Sequence, residues 1–438
     1  MPLPYFVYPF YPVFSPASVK IELKLDSLGK RVIVAAGFLV VLILFAFSTL
    51  KLLANAVAQG ADEPASAEFA AWISPDEPYA YYISGFYLER SMRSDDLPRS
   101  LEMYDKAAAL EPFDYLLWLE YGKALERNGR PEDAEKALKH AESVAPNYSE
   151  VQWALGNVLI RNGKADDGFA HLRKAVEGNK KFAKPAASLA WDIFEGDVSA
   201  VERTVGDSNA VKASVAAFLS NQGKFDESLR VWRSIPEAER RDAHSDSGKQ
   251  ILNAMLKQKR YALAAEVQAD LSDVGPRLEK VSNGGFEAEV ASKGSGAFEW
   301  NIAEGKRPTI GISVEQKRSG GKSLAVIFGG SSTDNFRQVS QAVAVRPETE
   351  YRFKAFYRSD LKAEKTMYWQ ISDANSGKVL AESPPFESES DWVPLSASFR
   401  TASGSEGIVI KLLREKCTGR GCQISGRVWL DDVSIEKE

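Results

Sequence analysis

Cysteine and histidine are nearly missing from this sequence, with two of the first and three of the second in 438 residues. A structural zinc site needs four ligands, and His140, His171 and His244 lie far along the chain from Cys417 and Cys422. No Ser-His-Asp order, zinc-binding helix motif or phosphate-cradling Gly-rich loop occurs. Excess positive charge is missing as well: the net charge is -5 and the pI about 5.6, which excludes the basic footprint of a nucleic-acid partner. Carboxylate pairs for glycoside hydrolysis are defined by separation in space, so spacing along the chain does not address them.

What the sequence does have begins with an apolar run. Val32 to Leu50, "VIVAAGFLVVLILFAFSTL", is 19 residues without a formal charge; as a helix it measures about 28 Å, close to the hydrocarbon thickness of a bilayer. Lys20, Lys24, Lys30 and Arg31 precede it, and after Lys51 no Lys or Arg follows until Arg90. The positive-inside rule then puts the N-terminus in the cytoplasm and the bulk of the chain outside, as expected of a single-pass inner-membrane protein. The alternative is a cleaved signal peptide, with Ala56–Ala58 as its small-residue site. The leader, 1–31, is rich in Pro and aromatics without periodicity and is expected to be disordered; 32–53 is read as the membrane helix and 54–77 as a polar spacer.

A repeat follows. Gly122 and Gly156 are 34 residues apart, as are Gly129 and Gly163, Ala134 and Gly168, and Ala141 and Ala175, the signature of a helical solenoid. Trp118, Tyr121, Gly122, Leu125, Gly129, Ala134, Leu138, Ala141 and Pro146 together resemble the tetratricopeptide repeat. Weaker copies run from Pro78 and from Ser149, and decaying ones reach Leu271. The resemblance implies a right-handed superhelix over 78–271 whose first helices line a groove for a protein partner. Carried over, its groove positions are Tyr79, Tyr82, Phe86, Leu119, Lys123, Arg127, Trp153, Asn157 and Arg161, with Arg127 and Arg161 suited to a carboxylate and the aromatics to anchoring. The other reading of each is packing against a neighbouring repeat.

Past a linker at 272–280 the texture changes to alternating runs between turn signals, as in Tyr351, Phe353, Ala355 and Tyr357 against Arg352, Lys354, Phe356 and Arg358. Seven such runs, at 322–328, 337–345, 350–359, 365–372, 391–401, 407–414 and 426–435, predict an all-β sandwich over 281–438. "NGGFE" at Asn283–Glu287, "FEWNI" at Phe298–Ile302 and "VWLDDVSI" at the close are similar to the galactose-binding-like jelly roll of carbohydrate-binding modules. That resemblance implies a structural calcium held by Glu287 and by Asp431 or Asp432, and sugar contact through exposed aromatics: Phe298, Trp300, Tyr368 and Trp392, with Trp369 and Trp429 assigned to the core.

Anchor, solenoid and sandwich leave no chain for a catalytic domain. The expectation is a non-enzymatic, membrane-anchored envelope scaffold that binds a protein through its repeats and polysaccharide through its sandwich. The alternatives are an assembly factor whose sandwich contacts protein, and a glycan-active enzyme. Cys417 and Cys422, four residues apart between two strands, lack the ligands for a zinc clip and the helix-start spacing of a redox pair. They are read as a disulfide closing "TGRG", worth about 2 kcal/mol and persistent only in an oxidising compartment. Alkylation of the native protein without reductant is expected to leave both cysteines unlabelled by mass spectrometry; labelling would contradict the bond.

Overall fold

The computed structural model describes residues 27–91, 93, 95–272, 275–290, 296–329, 336–417 and 422–438. Most of the leader and the "TGRG" loop therefore lie outside the described residues. The chain forms two units, 1–144 and 145–438.

In the first unit α1 (Leu28–Gln59) runs unbroken through the apolar segment and beyond it, its start capped by Ser27 accepting from the Lys30 amide. The expected spacer is in part helix. Pro64 opens α2 (Pro64–Ile73), where Ala67 and Ala70 are buried. Small side chains explain this: Ala58, Ala70 and Ala80 pack together, letting α2 and α3 (Pro78–Arg90) close on the end of α1. Lys51 pairs with Asp76 at 2.8 Å and Asn55 donates to Glu77 at 3.0 Å. Two helical hairpins complete the unit: α3 with α4 (Asp96–Leu110), and α5 (Tyr115–Arg127) with α6 (Pro131–Val144). Close approach sets both. A Cβ on Gly85 would stand 3.1 Å from the Ser100 carbonyl, and one on Gly122 would meet Leu138 Cγ at 2.5 Å.

The second unit opens with α7 (Ser149–Arg161) and α8 (Ala165–Gly178), where backbone meets backbone: a Cβ on Gly156 would lie 2.8 Å from the Gly168 carbonyl oxygen. Then follow α9 (Ala183–Ile193), α10 (Val198–Val205), α11 (Asn209–Asn221), α12 (Phe225–Arg233), the short α13 (Glu237–Arg241), α14 (Ser245–Lys257) and α15 (Tyr261–Asp270). Among the described residues, 14 helices after α1 thus build the tetratricopeptide-like repeats.

The sandwich has two antiparallel sheets. One runs β1 (Asn301–Ile302), β4 (Val339–Ala344), β9 (Gly407–Arg414), β6 (Met367–Asp373), β7 (Val379–Glu382); the other β2 (Thr309–Ser313), β3 (Ser323–Gly329), β10 (Ser425–Lys437), β5 (Glu350–Asp360), β8 (Glu389–Arg400). The seven predicted strands are all present, and β1, β2 and β7 are additions. Between the sheets runs a chain of aromatic rings, Phe286, Trp300, Trp369 and Phe353, with successive centroids 5.3, 5.9 and 5.7 Å apart. Cys417 and Cys422 are joined as a disulfide.

The sandwich sits directly on the last helical hairpin. Phe298 and Ala344 belong to the helical core together with Ala264 and Val267 of α15, and Tyr261 meets Phe298 edge-on at 6.3 Å. Gly407 makes room for Tyr261, whose ring a Cβ would approach to 2.5 Å. Arg260 Nε donates to Glu406 at 3.0 Å and Lys259 Nζ to the Asn375 carbonyl at 2.5 Å.

Replacing Gly156 by alanine drives a methyl against a backbone oxygen that cannot move without shifting α8. The expected cost is about 1–3 kcal/mol, read as a lower urea midpoint by far-UV circular dichroism; an unchanged midpoint would refute the close-approach account.

Candidate functional site

In the first unit the expected groove positions Tyr79, Tyr82 and Phe86 recur at helical spacing along α3 and are half-buried. Tyr79 and Tyr82 lie 5.8 Å apart, Tyr82 and Tyr104 5.9 Å, and the Arg90 guanidinium covers Phe86 at 3.8 Å. Two expectations fail here. Leu119 is 2 % exposed, a core residue between helices and no contact for a partner. Arg127 is already paired: its Nε and Nη2 donate to the two carboxylate oxygens of Glu89 at 2.7 and 2.8 Å. That fork was expected to hold a partner's carboxylate; Glu89, 38 residues away, takes it instead. Lys123 pairs with Glu120 on its own helix at 2.8 Å.

In the second unit Trp153 stacks on Phe182 at 4.9 Å with planes 17° apart, and Asn157 donates to the Trp153 carbonyl at 2.7 Å. Packing against the next repeat therefore accounts for Trp153. Arg161 lies exposed at the end of α7.

The four aromatics expected to touch sugar are dispersed. Phe298 is 1 % and Trp300 2 % exposed: Phe298 belongs to the junction with the helices, and Trp300 sits in the sandwich core with its indole N–H donating to the Asn283 carbonyl at 3.0 Å. Burial removes both as sugar platforms. Tyr368 and Trp392 are half-buried and lie on different sheets, so they cannot share one ligand face. Trp369 is in the core as expected. Trp429, also assigned to the core, is buried on β10 beneath the Arg427 guanidinium at 4.9 Å.

The outer face of the first sheet carries an arrangement that single-strand alternation does not reveal. Its register aligns Asn301, Ser340, Lys411, Gln370 and Glu382 in one polar row across all five strands. Two residues along, Tyr368 lies opposite Leu413, an apolar step beside that row at a distance of about 7 Å. Gln370 donates to Glu382 at 2.8 Å. Burial first, and then the charges of Glu382 and Glu415, push the Tyr368 hydroxyl up from its usual value, so the phenol stays a neutral donor near neutral pH. Donors and acceptors beside a ring and a leucine suit a ligand with polar edges and apolar faces.

At the corner expected to hold calcium, one turn gathers the carboxylates. Asp431 is buried and accepts from the amides of Arg318, Ser319 and Asp432 at 2.9, 3.1 and 2.8 Å. Asp432 accepts from the Ser319 hydroxyl and pairs with the Arg318 guanidinium, and Glu287 accepts from the Gly321 amide at 2.9 Å. A bulge in β10 after Asp431 re-aims this segment. Burial pushes the Asp431 carboxyl up despite its amide donors. Among the described residues no group of three or more His, Cys, Asp or Glu side chains is placed to hold a metal.

Comparison with known proteins matches the helical and the β part of the chain separately. Residues 116–157 match the tetratricopeptide repeat family and residues 278–413 a family described as a carbohydrate binding domain. Similar solved structures include one described as "CBM4 structure and function", with 15% identity, a TM-score of 0.27 and coverage of 36% of this chain and 99% of that one. Another is YrrB, "a TPR protein with an unusual peptide-binding site", with 18% identity, a TM-score of 0.25 and coverage of 47% and 91%. A third is a crystal form of MamA, with 21% identity, a TM-score of 0.24 and coverage of 29% and 69%. No curated protein matches the chain. Both kinds of matched domain are typically non-catalytic. The apolar helix near the N-terminus is compatible with a single-pass anchor or a signal sequence. The chain therefore joins an apolar N-terminal helix, tetratricopeptide repeats and a sandwich like that of carbohydrate-binding domains.

Proposed function

We propose that this protein is a non-enzymatic scaffold of the cell envelope, anchored in the inner membrane by α1, that binds a protein through its repeats and polysaccharide through its sandwich during envelope or exopolysaccharide assembly. The observation that carries the sugar-binding part is the five-strand polar row beside Tyr368 and Leu413. A pyranose presents an apolar face and a rim of hydroxyls; the ring and the leucine cover the first, while Gln370, Glu382, Lys411 and Ser340 exchange hydrogen bonds with the second. Support for the protein-binding part comes from the match over 116–157, with Tyr79, Tyr82 and Phe86 as its aromatic contacts.

Affinity electrophoresis through gels containing soluble polysaccharides tests the first part. Retardation by at least one glycan is expected, and Tyr368→Ala should cost about 2 kcal/mol of that binding, whereas Trp392→Ala on the other sheet should leave it unchanged. No retardation by any glycan would turn the sandwich into a protein-contact module.

Calcium at the corner of Glu287, Asp431 and Asp432 is a separate proposal. It is supported by Glu287, Asp431 and Asp432 each accepting from the 318–321 turn and by the burial that pushes the Asp431 carboxyl up despite its amide donors, which a divalent cation bound through oxygen ligands would offset. Saturating calcium should raise Tm relative to EGTA, by ligand linkage, and Glu287→Gln should abolish the rise; identical melting in both conditions would reject the site.

A further inference from the structure

In the first unit, exposed aromatics gather where α1 would leave a bilayer. From Val32 to Leu50 the helix spans about 28 Å, close to the hydrocarbon thickness, and Lys51 is the first charge after the apolar run. The level of Lys51 is therefore the level of the membrane surface. Two turns between helices lie at that level. Lys51 is paired with Asp76 in the α2–α3 turn at 2.8 Å, and the antiparallel α3–α4 hairpin, in which Tyr81 and Tyr82 pack with Ala107, Ala108 and Leu117, brings the α4–α5 turn to the same end.

Both turns are flanked by uncovered apolar side chains. At the end of α2, Trp72 is 76 % exposed and stacks on Phe69 at 5.9 Å with planes 17° apart. In and beside the second turn Phe113 is 86 % exposed, with Leu110 and Leu116 also exposed. Nothing among the described residues covers them. The charges in and next to the two turns, apart from Lys51, are acidic, Asp76, Glu77, Glu111 and Asp114; of the basic residues on the flanking helices, Arg99 is paired with Glu68 and Lys106 with Glu102. Such a surface suits uncharged, zwitterionic lipid and is repelled by anionic headgroups.

We infer that the edge of the repeats formed by the α2–α3 and α4–α5 turns lies on the bilayer, with Trp72, Phe69 and Phe113 inserted at the headgroup level. Tryptophan partitions to that interface because its ring meets acyl chain while its indole N–H meets hydrated headgroups, and phenylalanine buries its ring at the headgroup–acyl boundary. The inference rests on the reading of α1 as a membrane anchor, and adds that the first repeats lie against the membrane instead of being held away from it.

The native cysteines are tied in a disulfide, so an introduced cysteine is the only reactive thiol. Full-length variants Phe45→Cys, Trp72→Cys, Phe113→Cys and Glu132→Cys, each labelled with an environment-sensitive NBD fluorophore, would be placed in phosphatidylcholine nanodiscs with and without doxyl-labelled lipid. Position 132, at the start of α6, is a helix length from the two turns. Quenching at 45, 72 and 113, with 132 unquenched, is expected. Quenching at 45 but not at 72 and 113 would overturn the inference while leaving the anchor intact. Blue-shifted but unquenched emission at 72 and 113 would assign the face to protein, a second copy included, and would also overturn it. No quenching at 45 would defeat the anchor and the inference together.

Discussion

The packing of Phe298 and Tyr261 at the start of α15 is the contact on which the second unit depends. A stack of helical hairpins has no natural end, since each pair buries its apolar side only against the next, and the last one needs a cover. Here the cover is a different kind of domain. Phe298 and Ala344 complete the helical core next to Ala264 and Val267, and Arg260 and Lys259 tie the rim to Glu406 and Asn375. The chain linking the two is correspondingly short, and Glu279 near its end accepts from the Tyr351 hydroxyl at 2.7 Å.

That junction also decides which part of the sandwich meets the surroundings. It occupies one end, at Gly407 and Ala344, where β9 and β4 pair. The polar row lies further along these same strands, at Lys411 and Ser340, on the outer face. Docking on the helices and the polar row thus use different stretches of the same two strands, so the row proposed to bind sugar has a fixed orientation to the helices.

Much of this was legible in the sequence where sterics act locally. Gly122 and Gly156 announce hairpins because only a missing side chain lets the paired helices touch, and the alternation in β5 announces a half-buried strand because its period belongs to the backbone. The failures share a cause, which is that the deciding partner is remote. Phe298 and Trp300 carry no local mark of the cores they join, and Arg127 has none of its pairing with Glu89. The polar row exists only in the register of five strands. Strands β1, β2 and β7, of two, five and four residues, are too short for alternation to register. Helix α2 was hidden by a Pro- and acid-containing composition in which the alanines that dock it on α1 look unremarkable one at a time.

Helix α1 continues for nine residues past Leu50 without a break, and its far end is clamped to α2 and α3 by Ala58, Asn55 and Lys51. A hydrophobic stretch longer than the local hydrocarbon thickness, as one of about 28 Å is in a thin bilayer, tilts to fit. On the proposal that α1 is a membrane anchor, with no hinge between span and clamp, the first repeats would tilt with it. Bilayer thickness would thereby set the angle at which their aromatic face is offered, making the membrane an adjustable mount for the repeats.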